Sequence, residues 1–245
     1  GSTVLPICQH ENDYGSHHKQ LGTQWADRHR QALTTRHTHE DILTDRQFEL
    51  LLEACAALPA PHDFEARFIC LIAGRLGLRA REIAHFQTAW VNWNRRTIRI
   101  PQHEPGQCGY CRRQAQQETT HNDDLSTADA LASRWHPKTV ASARFIPFDL
   151  SFRLELCVER FANRYDAFLR SRSTVNRRVQ AAADLSGRVY PHCLRATAAS
   201  YHAYKGVAPV PFQALMGWSD LATAQKYTRI SGRATADALR CVHHG

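Results

Sequence analysis

The sequence predicts a mainly α-helical protein with one small antiparallel β-sheet, the α+β class, and three observations support this. Apolar residues recur at helical spacing in most stretches between residues 43 and 241. Alternating apolar residues, which indicate strands, are confined to residues 89–101 and 138–148. The 245 residues are 43% hydrophobic and 22% charged, and no apolar run approaches the roughly 20 residues of a membrane span. We therefore predict one large domain, or one medium-sized domain with an appendage, and exclude a membrane protein.

The N-terminal segment, residues 1–42, is polar and rich in histidine, and we predict an arm or linker there. A solvated tail and a metal-binding histidine cluster are both compatible with this composition. The chain opens with Gly-Ser and no Met, which is typical of a cloning scar. We therefore expect the natural N-terminus to lie elsewhere.

The first helices are predicted from their caps and breakers. Thr44 is expected to begin a helix, because Gln47 three residues later completes a capping-box pattern. The apolar residues that follow at helical spacing are Phe48, Leu51, Leu52 and Cys55. Pro59 and Pro61 end this helix. A second helix is predicted near 63–75, with Gly77 after its end, and a short third helix at about 80–88.

The strands and the remaining helices follow in order. Residues 89–101 read as a hairpin with a polar turn at 94–96, and residues 138–148 read as a third strand. Between them lies a polar insertion, residues 102–136. Further helices are predicted at about 151–169, 173–183, 193–204, 209–216, 220–228 and 232–241.

Charge is distributed unevenly along the chain, whose formal net charge is +8. Residues 1–133 carry a net charge of −2, whereas residues 134–245 carry +10. A basic half predicts a polyanionic partner, with nucleic acid first, although a basic surface without a partner fits the charge equally well. Of the 31 cationic residues, 27 are Arg, whose planar fork suits phosphate.

The eight cysteines are scattered along the chain, and several lie in apolar helical stretches. This pattern predicts reduced, buried thiols in a cytoplasmic protein. Cys108 and Cys111 alone have metal-ligand spacing, and with His103 and His121 of the same insertion they form a candidate structural zinc site. His136 lies further on, and the sequence does not determine the fourth ligand. The alternative is a flexible loop with two free thiols.

Four short patterns lie in order along the chain. They are Gly77-Leu78-Arg79-Ala80-Arg81-Glu82, then Lys138 before a strand, then His192-Cys193-Leu194-Arg195, and finally Gly217-Trp218 with Tyr227 nine residues after the Trp. Together they resemble the catalytic domain of the tyrosine site-specific recombinases, the phage-integrase family, over about residues 43–240. The resemblance implies the tyrosine recombinase fold, shared by DNA-breaking-rejoining enzymes.

By this resemblance, Tyr227 is the nucleophile that attacks a DNA phosphodiester and leaves a 3′-phosphotyrosine. Arg79 and Arg195 would clamp the non-bridging oxygens of the phosphate, on which negative charge develops. Gly77 before Arg79 and Glu82 after it favour Arg79 over the neighbouring Arg81. We expect Arg195 to face the surface, so that its replacement by Ala stops cleavage without unfolding the protein.

The remaining roles are also those of the family. His192 and Trp218 would complete the phosphate cradle by hydrogen bonding and packing. Lys138 would protonate the 5′-oxygen leaving group, and Glu82 would orient the pocket beside the arginine. No cofactor is expected for catalysis, because cations of the protein neutralise the developing charge.

The resemblance also implies partners. They are double-stranded DNA, further copies of the chain in a tetramer on paired sites, and an accessory directionality factor, in a cytoplasmic, nucleoid-associated setting. Residues 229–245 are the candidate segment for exchange between protomers. The expected role is integration or excision of a mobile element, including integration of a viral genome.

Two departures from the family and three alternatives remain. The polar residues 1–42 cannot form the helical core-binding domain that usually precedes the catalytic one, so either that domain was removed or this is a reduced member. The insertion 102–136 lies between strands that normally form a short hairpin. The alternatives are a type IB topoisomerase, a non-catalytic DNA-binding protein on the same scaffold, and a zinc-knuckle adaptor acting through 102–136.

Overall fold

The computed structural model describes residues 41–183 and 189–244. The predicted arm at 1–42 therefore lies almost entirely outside the described residues. None of the described helices combines the length and apolarity required to cross a membrane.

The described residues are mainly helical, as the sequence predicts. In chain order the helices are α1 (Asp45–Ala56), α2 (His62–Gly74), α3 (Ala80–Ala84), α4 (Gly109–His121), α5 (Thr127–Ala132), α6 (Phe152–Arg164), α7 (Arg172–Ala183), α8 (Pro191–Tyr204), α9 (Pro209–Met216), α10 (Leu221–Ile230) and α11 (Arg233–His244).

The sheet among the described residues has three antiparallel strands in the order β1-β2-β3. They are β1 (Val91–Asn92), β2 (Thr97–Ile100) and β3 (Arg144–Pro147). Ile98 lies opposite Val91 on one side and Ile146 on the other, so its side chain packs at the centre of the buried face. The predicted class, mainly α with a small antiparallel sheet, is confirmed.

Helix α1 begins as its capping pattern predicts. The hydroxyl of Thr44 accepts a hydrogen bond from the Gln47 backbone N–H at 3.2 Å, and the Gln47 side chain accepts one from the Thr44 N–H at 2.9 Å. The apolar face of α1 packs on α2, which is buried along most of its length. Phe68 of α2 stacks on Phe161 with ring centroids 4.3 Å apart, and this aromatic contact joins α2 to α6.

The structure corrects several predicted boundaries. The third strand covers residues 144–147 rather than 138–148, and Lys138 precedes a 3₁₀ turn at Val140–Ser142. Helix α6 ends at Arg164 rather than 169, because the backbone after Arg164 forms hydrogen bonds with the chain near Thr88 instead of continuing the helix. The Thr88 N–H donates to the Asp166 carbonyl at 2.8 Å, so this segment pairs with the chain after α3.

The insertion at residues 102–136 contains helices α4 and α5, which were not predicted because the insertion is polar. Cys111 and Ala115 are the buried residues of α4, and two buried positions in thirteen give a weak apolar period. Helix α5 begins at Ser126, whose hydroxyl accepts a hydrogen bond from the Asp129 N–H. The insertion is therefore ordered by caps and a few buried side chains.

Candidate active site

The turn from α2 into α3 depends on glycine. Gly77 has a φ of +70°, a conformation that other residues rarely adopt. A Cβ at Gly77 would lie 2.7 Å from the sulfur of Met216, so the position also lacks room for a side chain. The buried carbonyl of Gly77 faces the side chain of Arg195, described below.

Arg79 and Glu82 form the N-terminal cap of α3. The carboxylate of Glu82 accepts a hydrogen bond from the Arg79 backbone N–H at 2.8 Å, in the reciprocal half of a capping box. The same carboxylate accepts a second bond from the Arg79 guanidinium at 2.9 Å. The spacing of these two residues thus fixes both the start of the helix and the direction of the arginine.

Arg144 is a member of the site that sequence reasoning missed. Its guanidinium donates two parallel hydrogen bonds to the two oxygens of Glu82, at 2.9 and 3.0 Å. The side chains of Arg144 and Glu82 are only 4% and 3% exposed. The available sequence signal was its position in β3, where Arg144 shares the buried face of the strand with Ile146.

Arg195 lies on α8 and is buried, with an exposed fraction of 8%. The expectation that it faces the surface is wrong. Its guanidinium donates to the backbone carbonyls of Gly77 and Met216. An Ala at this position would leave both buried carbonyls without their donor, so the substitution also affects stability.

Three guanidinium groups converge on the end of α9. We use the term arginine cluster for Arg79, Arg144, Arg195 and Glu82. Its arginines donate to three consecutive carbonyls: Arg144 to Leu215, Arg195 to Met216 and Arg79 to Gly217. The last carbonyls of a helix lack partners within it and carry its negative dipole end, so cations stabilise them. The cluster thus fixes the turn that leads from α9 to α10.

The charges within the arginine cluster do not balance. Burial alone would raise the pKa of Glu82, but the guanidinium of Arg144, with those of Arg195 and Arg79, lowers this pKa to about 2. Burial lowers the pKa of Arg195 to about 9, and the charges of Arg79 and Arg144 act in the same direction. At neutral pH three cations therefore surround one carboxylate, and the excess positive charge favours an anionic ligand.

An open cleft of about 580 Å³ lies against the arginine cluster. Its lining includes Arg79, Glu82 and Arg195 together with Lys138 and His192, both of which are exposed. Partial desolvation of the imidazole, and then the charges of Arg195 and Lys138, lower the pKa of His192. His192 is therefore neutral at neutral pH and presents both a donor and an acceptor to the cleft.

Tyr227 and Trp218 pack against each other beside the cleft. Their rings are nearly parallel, with centroids 5.4 Å apart, and Phe212 meets both at an edge. Neither belongs to the lining of the cleft. Burial raises the pKa of Tyr227, while the positive charge of Arg195 acts to lower it. The structure thus brings Tyr227 within the electrostatic influence of the arginine cluster.

Comparison with solved structures identifies the fold of this chain. A scan against protein-family models and a search of curated proteins found no match. Among solved structures, XerA recombinase matches with a TM-score of 0.55 at 17% identity, covering 81% of this chain and 65% of that one. The fold is that of the tyrosine recombinase catalytic domain.

Two further structures with this tyrosine recombinase fold are DNA complexes. The Tn1549 transposon integrase with a circular intermediate DNA matches with a TM-score of 0.52 at 16% identity, covering 81% of this chain and 65% of that one. XerH site-specific recombinase bound to a palindromic substrate matches at 0.53 and 13% identity, covering 81% and 52%. The chain thus spans about two thirds or less of the length of these proteins.

The candidate zinc ligands are only partly brought together. Cys108 and Cys111 lie with His85, and their ligand atoms are all within 4.8 Å of one another. His103 and His121 are exposed and do not join this group. His121 is the last residue of α4, about 15 Å along the helix from Cys111. His85, missed by sequence reasoning, lies in the run Ile83-Ala84-His85-Phe86, where a histidine between buried apolar residues was the available signal.

Proposed function

We propose that this protein is a site-specific DNA recombinase that cleaves and rejoins DNA strands, with Tyr227 as the nucleophile. The observation that carries the proposal is the convergence of Arg79 and Arg195 on the end of α9. Their guanidinium groups hold the consecutive carbonyls of Gly217 and Met216. Two cations from distant parts of the chain are thereby tied to the turn that positions the tyrosine helix.

The proposed reaction is a transesterification at a DNA phosphodiester. The phenol of Tyr227 gives its proton to solvent and its oxygen attacks phosphorus, the bond from phosphorus to the 5′-oxygen breaks, and a 3′-phosphotyrosine forms. Lys138, exposed at the cleft, would give a proton to the departing oxygen. Because the phosphoester bond is kept in the covalent intermediate, rejoining needs no ATP.

The arginine cluster suits the charge that develops in this reaction. A guanidinium has five N–H donors, and within the described residues the bonds of Arg79 to Glu82 and Gly217 occupy two of them. The remaining donors would bind the non-bridging oxygens of the phosphate. A preorganised donor of this kind contributes about 2.7–4 kcal/mol to a developing oxyanion. His192 would add a neutral hydrogen-bond partner, and Trp218 would hold Tyr227 by stacking.

Recombination rather than simple relaxation of DNA is favoured by the C-terminal helices. Ile230, Leu239 and Val242 are exposed apolar residues at the end of α10 and on α11. Exposed apolar side chains on a terminal helix suit exchange between protomers of a tetramer on paired DNA sites. We therefore propose integration or excision of a mobile element, aided by a directionality factor, and make type IB topoisomerase activity the alternative.

Covalent trapping tests the proposal. Nicked duplexes from the flanks of the protein's own gene are mixed with wild type, with Tyr227→Phe and with the control Tyr204→Phe, whose tyrosine is exposed on α8. We expect a covalent complex on a denaturing gel with wild type and Tyr204→Phe and none with Tyr227→Phe. A band that persists in Tyr227→Phe, or no band with any protein that still binds the duplex, contradicts the proposal.

Product topology then separates the two enzyme classes. Plasmids with paired sites should yield recombinants with wild-type protein, whereas a topoisomerase would relax a plasmid without such sites. Relaxation alone would assign the alternative.

A further inference from the structure

Three potential metal ligands meet where the insertion contacts α3. His85 is the residue that follows α3, and Cys108 and Cys111 lie at the start of α4; all three are buried. The Nε2 atom of His85 lies 3.4 Å from the Sγ atom of Cys111. Ligand atoms around a tetrahedral zinc ion, with bonds of about 2.0–2.3 Å, are about 3.5–3.8 Å apart. The group is therefore close to the size that this ion requires.

The orientation of His85 also fits a metal ligand. Its Nδ1 atom lies 2.8 Å from the backbone carbonyl of Arg81, and because a carbonyl can only accept, Nδ1 carries the proton. In the neutral form of the ring the lone pair then lies on Nε2, which faces the two thiols. Histidine ligands of zinc are commonly held by such a bond from the second ring nitrogen. The ring is further held by Trp135, which stacks on it with centroids 4.9 Å apart.

The backbone approaches the sulfur of Cys111 closely on one side. A Cβ at Gly106 would lie 2.9 Å from the Sγ atom of Cys111, so glycine is required for this approach. Cys108 is the N-cap of α4, and its sulfur accepts a hydrogen bond from the Cys111 N–H at 3.5 Å. Two sulfurs and one imidazole favour zinc over the oxygen-seeking ions Mg²⁺ and Ca²⁺.

We propose that His85, Cys108 and Cys111 bind one zinc ion, with the fourth position open to a cavity of about 520 Å³ that would supply water. The ligand set differs from that predicted from the sequence, because His85 directly follows the helix that carries Glu82 and lies outside the insertion. This proposal does not depend on the proposed strand cleavage.

The zinc ion would link the insertion to the end of helix α3, which carries Glu82 of the arginine cluster. Helix α4 contributes few buried side chains, so the insertion has a thin apolar core of its own. The last residues of the insertion run through Trp135, which stacks on His85, towards Lys138 at the cleft. A metal at His85 would therefore hold the start of this segment as well as α4.

Metal analysis of the intact protein tests the proposal. The chain is reconstituted with zinc under reducing conditions, freed of loose metal by gel filtration, and its zinc content measured. We expect one tightly held zinc per chain in wild type and in the controls His103→Ala, His121→Ala and Cys241→Ser, whose replaced side chains are all exposed. The variants His85→Gln and Cys111→Ser should lose it.

Spectroscopy on the wild-type protein identifies the zinc ligands directly, so the proposal can be tested even if a variant fails to fold. Because the histidine-rich residues 1–42 offer other nitrogen ligands, bound sulfur is the criterion. X-ray absorption should give two sulfurs at about 2.3 Å and one nitrogen at about 2.0–2.1 Å, with a light atom completing the shell. Cobalt substitution should give thiolate charge-transfer bands.

Three outcomes would overturn the proposal: zinc without sulfur ligands, loss of zinc in His121→Ala with retention in His85→Gln, or a metal-free protein with Cys108 and Cys111 joined as a disulfide. The variant Tyr227→Phe should keep its zinc. A failure of cleavage is thereby distinguished from a failure of metal binding.

Discussion

Among the residues that the structure describes, Glu65 and Glu82 are buried and paired with arginines, yet they lie in different surroundings. Glu65 of α2 is completely buried and pairs with Arg170 at 3.0 Å and Arg178 at 2.6 Å. These pairs join α2 to α7 and to the segment before it. Glu82 lies in the arginine cluster, where its partners also reach the carbonyls at the end of α9.

The two sites differ in the excess positive charge that remains after the carboxylate is paired. They also differ in whether that charge is exposed to water or buried beside the cleft. Arg170 is 44% exposed, so water screens its excess charge. In the arginine cluster a third guanidinium, that of Arg195, is buried beside the cleft. A buried carboxylate thus holds two arginines in both places, and the proposed phosphate site differs by a further buried cation beside an open cleft.

The largest effects are expected from removing the two carboxylates. Glu82→Ala and Glu65→Ala each remove the carboxylate partner of two guanidinium groups and should each lower the free energy of unfolding by about 3–5 kcal/mol. Glu82→Ala should in addition abolish covalent trapping, whereas folded Glu65→Ala should keep it. Urea denaturation and the trapping assay measure these effects. Loss of trapping in folded Glu65→Ala would break the distinction.

Removing one arginine from each site should separate them further. Arg79→Ala should lower the cleavage rate by about 10²–10³-fold, because one preorganised donor to the phosphate is lost. Arg170→Ala should cleave at close to the wild-type rate. Arg81→Ala serves as a second control, since Arg81 is exposed and lies two residues from Arg79. Single-turnover kinetics on nicked DNA provide the rates, and a greater loss in Arg81→Ala would reassign the arginine.

The decrease in the free energy of unfolding at low pH should depend on Glu82. Its pKa is about 2 in the folded protein, below the ordinary 4.5, so the unfolded chain takes up the proton first as pH falls. Ionised Glu82 makes its full contribution to the free energy of unfolding above about pH 4.5. This contribution, about 3 kcal/mol, is lost between about pH 4.5 and about pH 2. Denaturation of wild type and Glu82→Gln across this range measures it. Parallel profiles for the two proteins would contradict this assignment.

A smaller effect is expected from the glycine beside Arg195. Gly77→Ala should lower the free energy of unfolding by about 2–3 kcal/mol, since it combines a left-handed backbone with overlap against Met216. Gly206 has a φ of +84° but open space around it, so Gly206→Ala should cost about 1 kcal/mol. Thermal unfolding compares the two. Equal costs would mean that Met216 moves aside.

Local patterns predicted well where their physical cause is local. The capping box at Thr44 predicted the start of α1, because both of its bonds join residues three apart. The polar helices α4 and α5 were missed because few of their residues are buried. Helix α6 was predicted too long because the structure gives the hydrogen bonds of its final predicted turn to the backbone near Thr88.

The sequence by itself determined the fold class and the order of the motifs that carry Arg79, Arg195 and Tyr227, since periodicity, caps and spacing are properties of short segments. Only the tertiary structure decided that Arg144 pairs with Glu82 and that His85 lies against the two insertion cysteines. Those contacts join residues 62 and 26 positions apart. Pairing across such separations depends on how the helices and the sheet pack, and no local pattern records it.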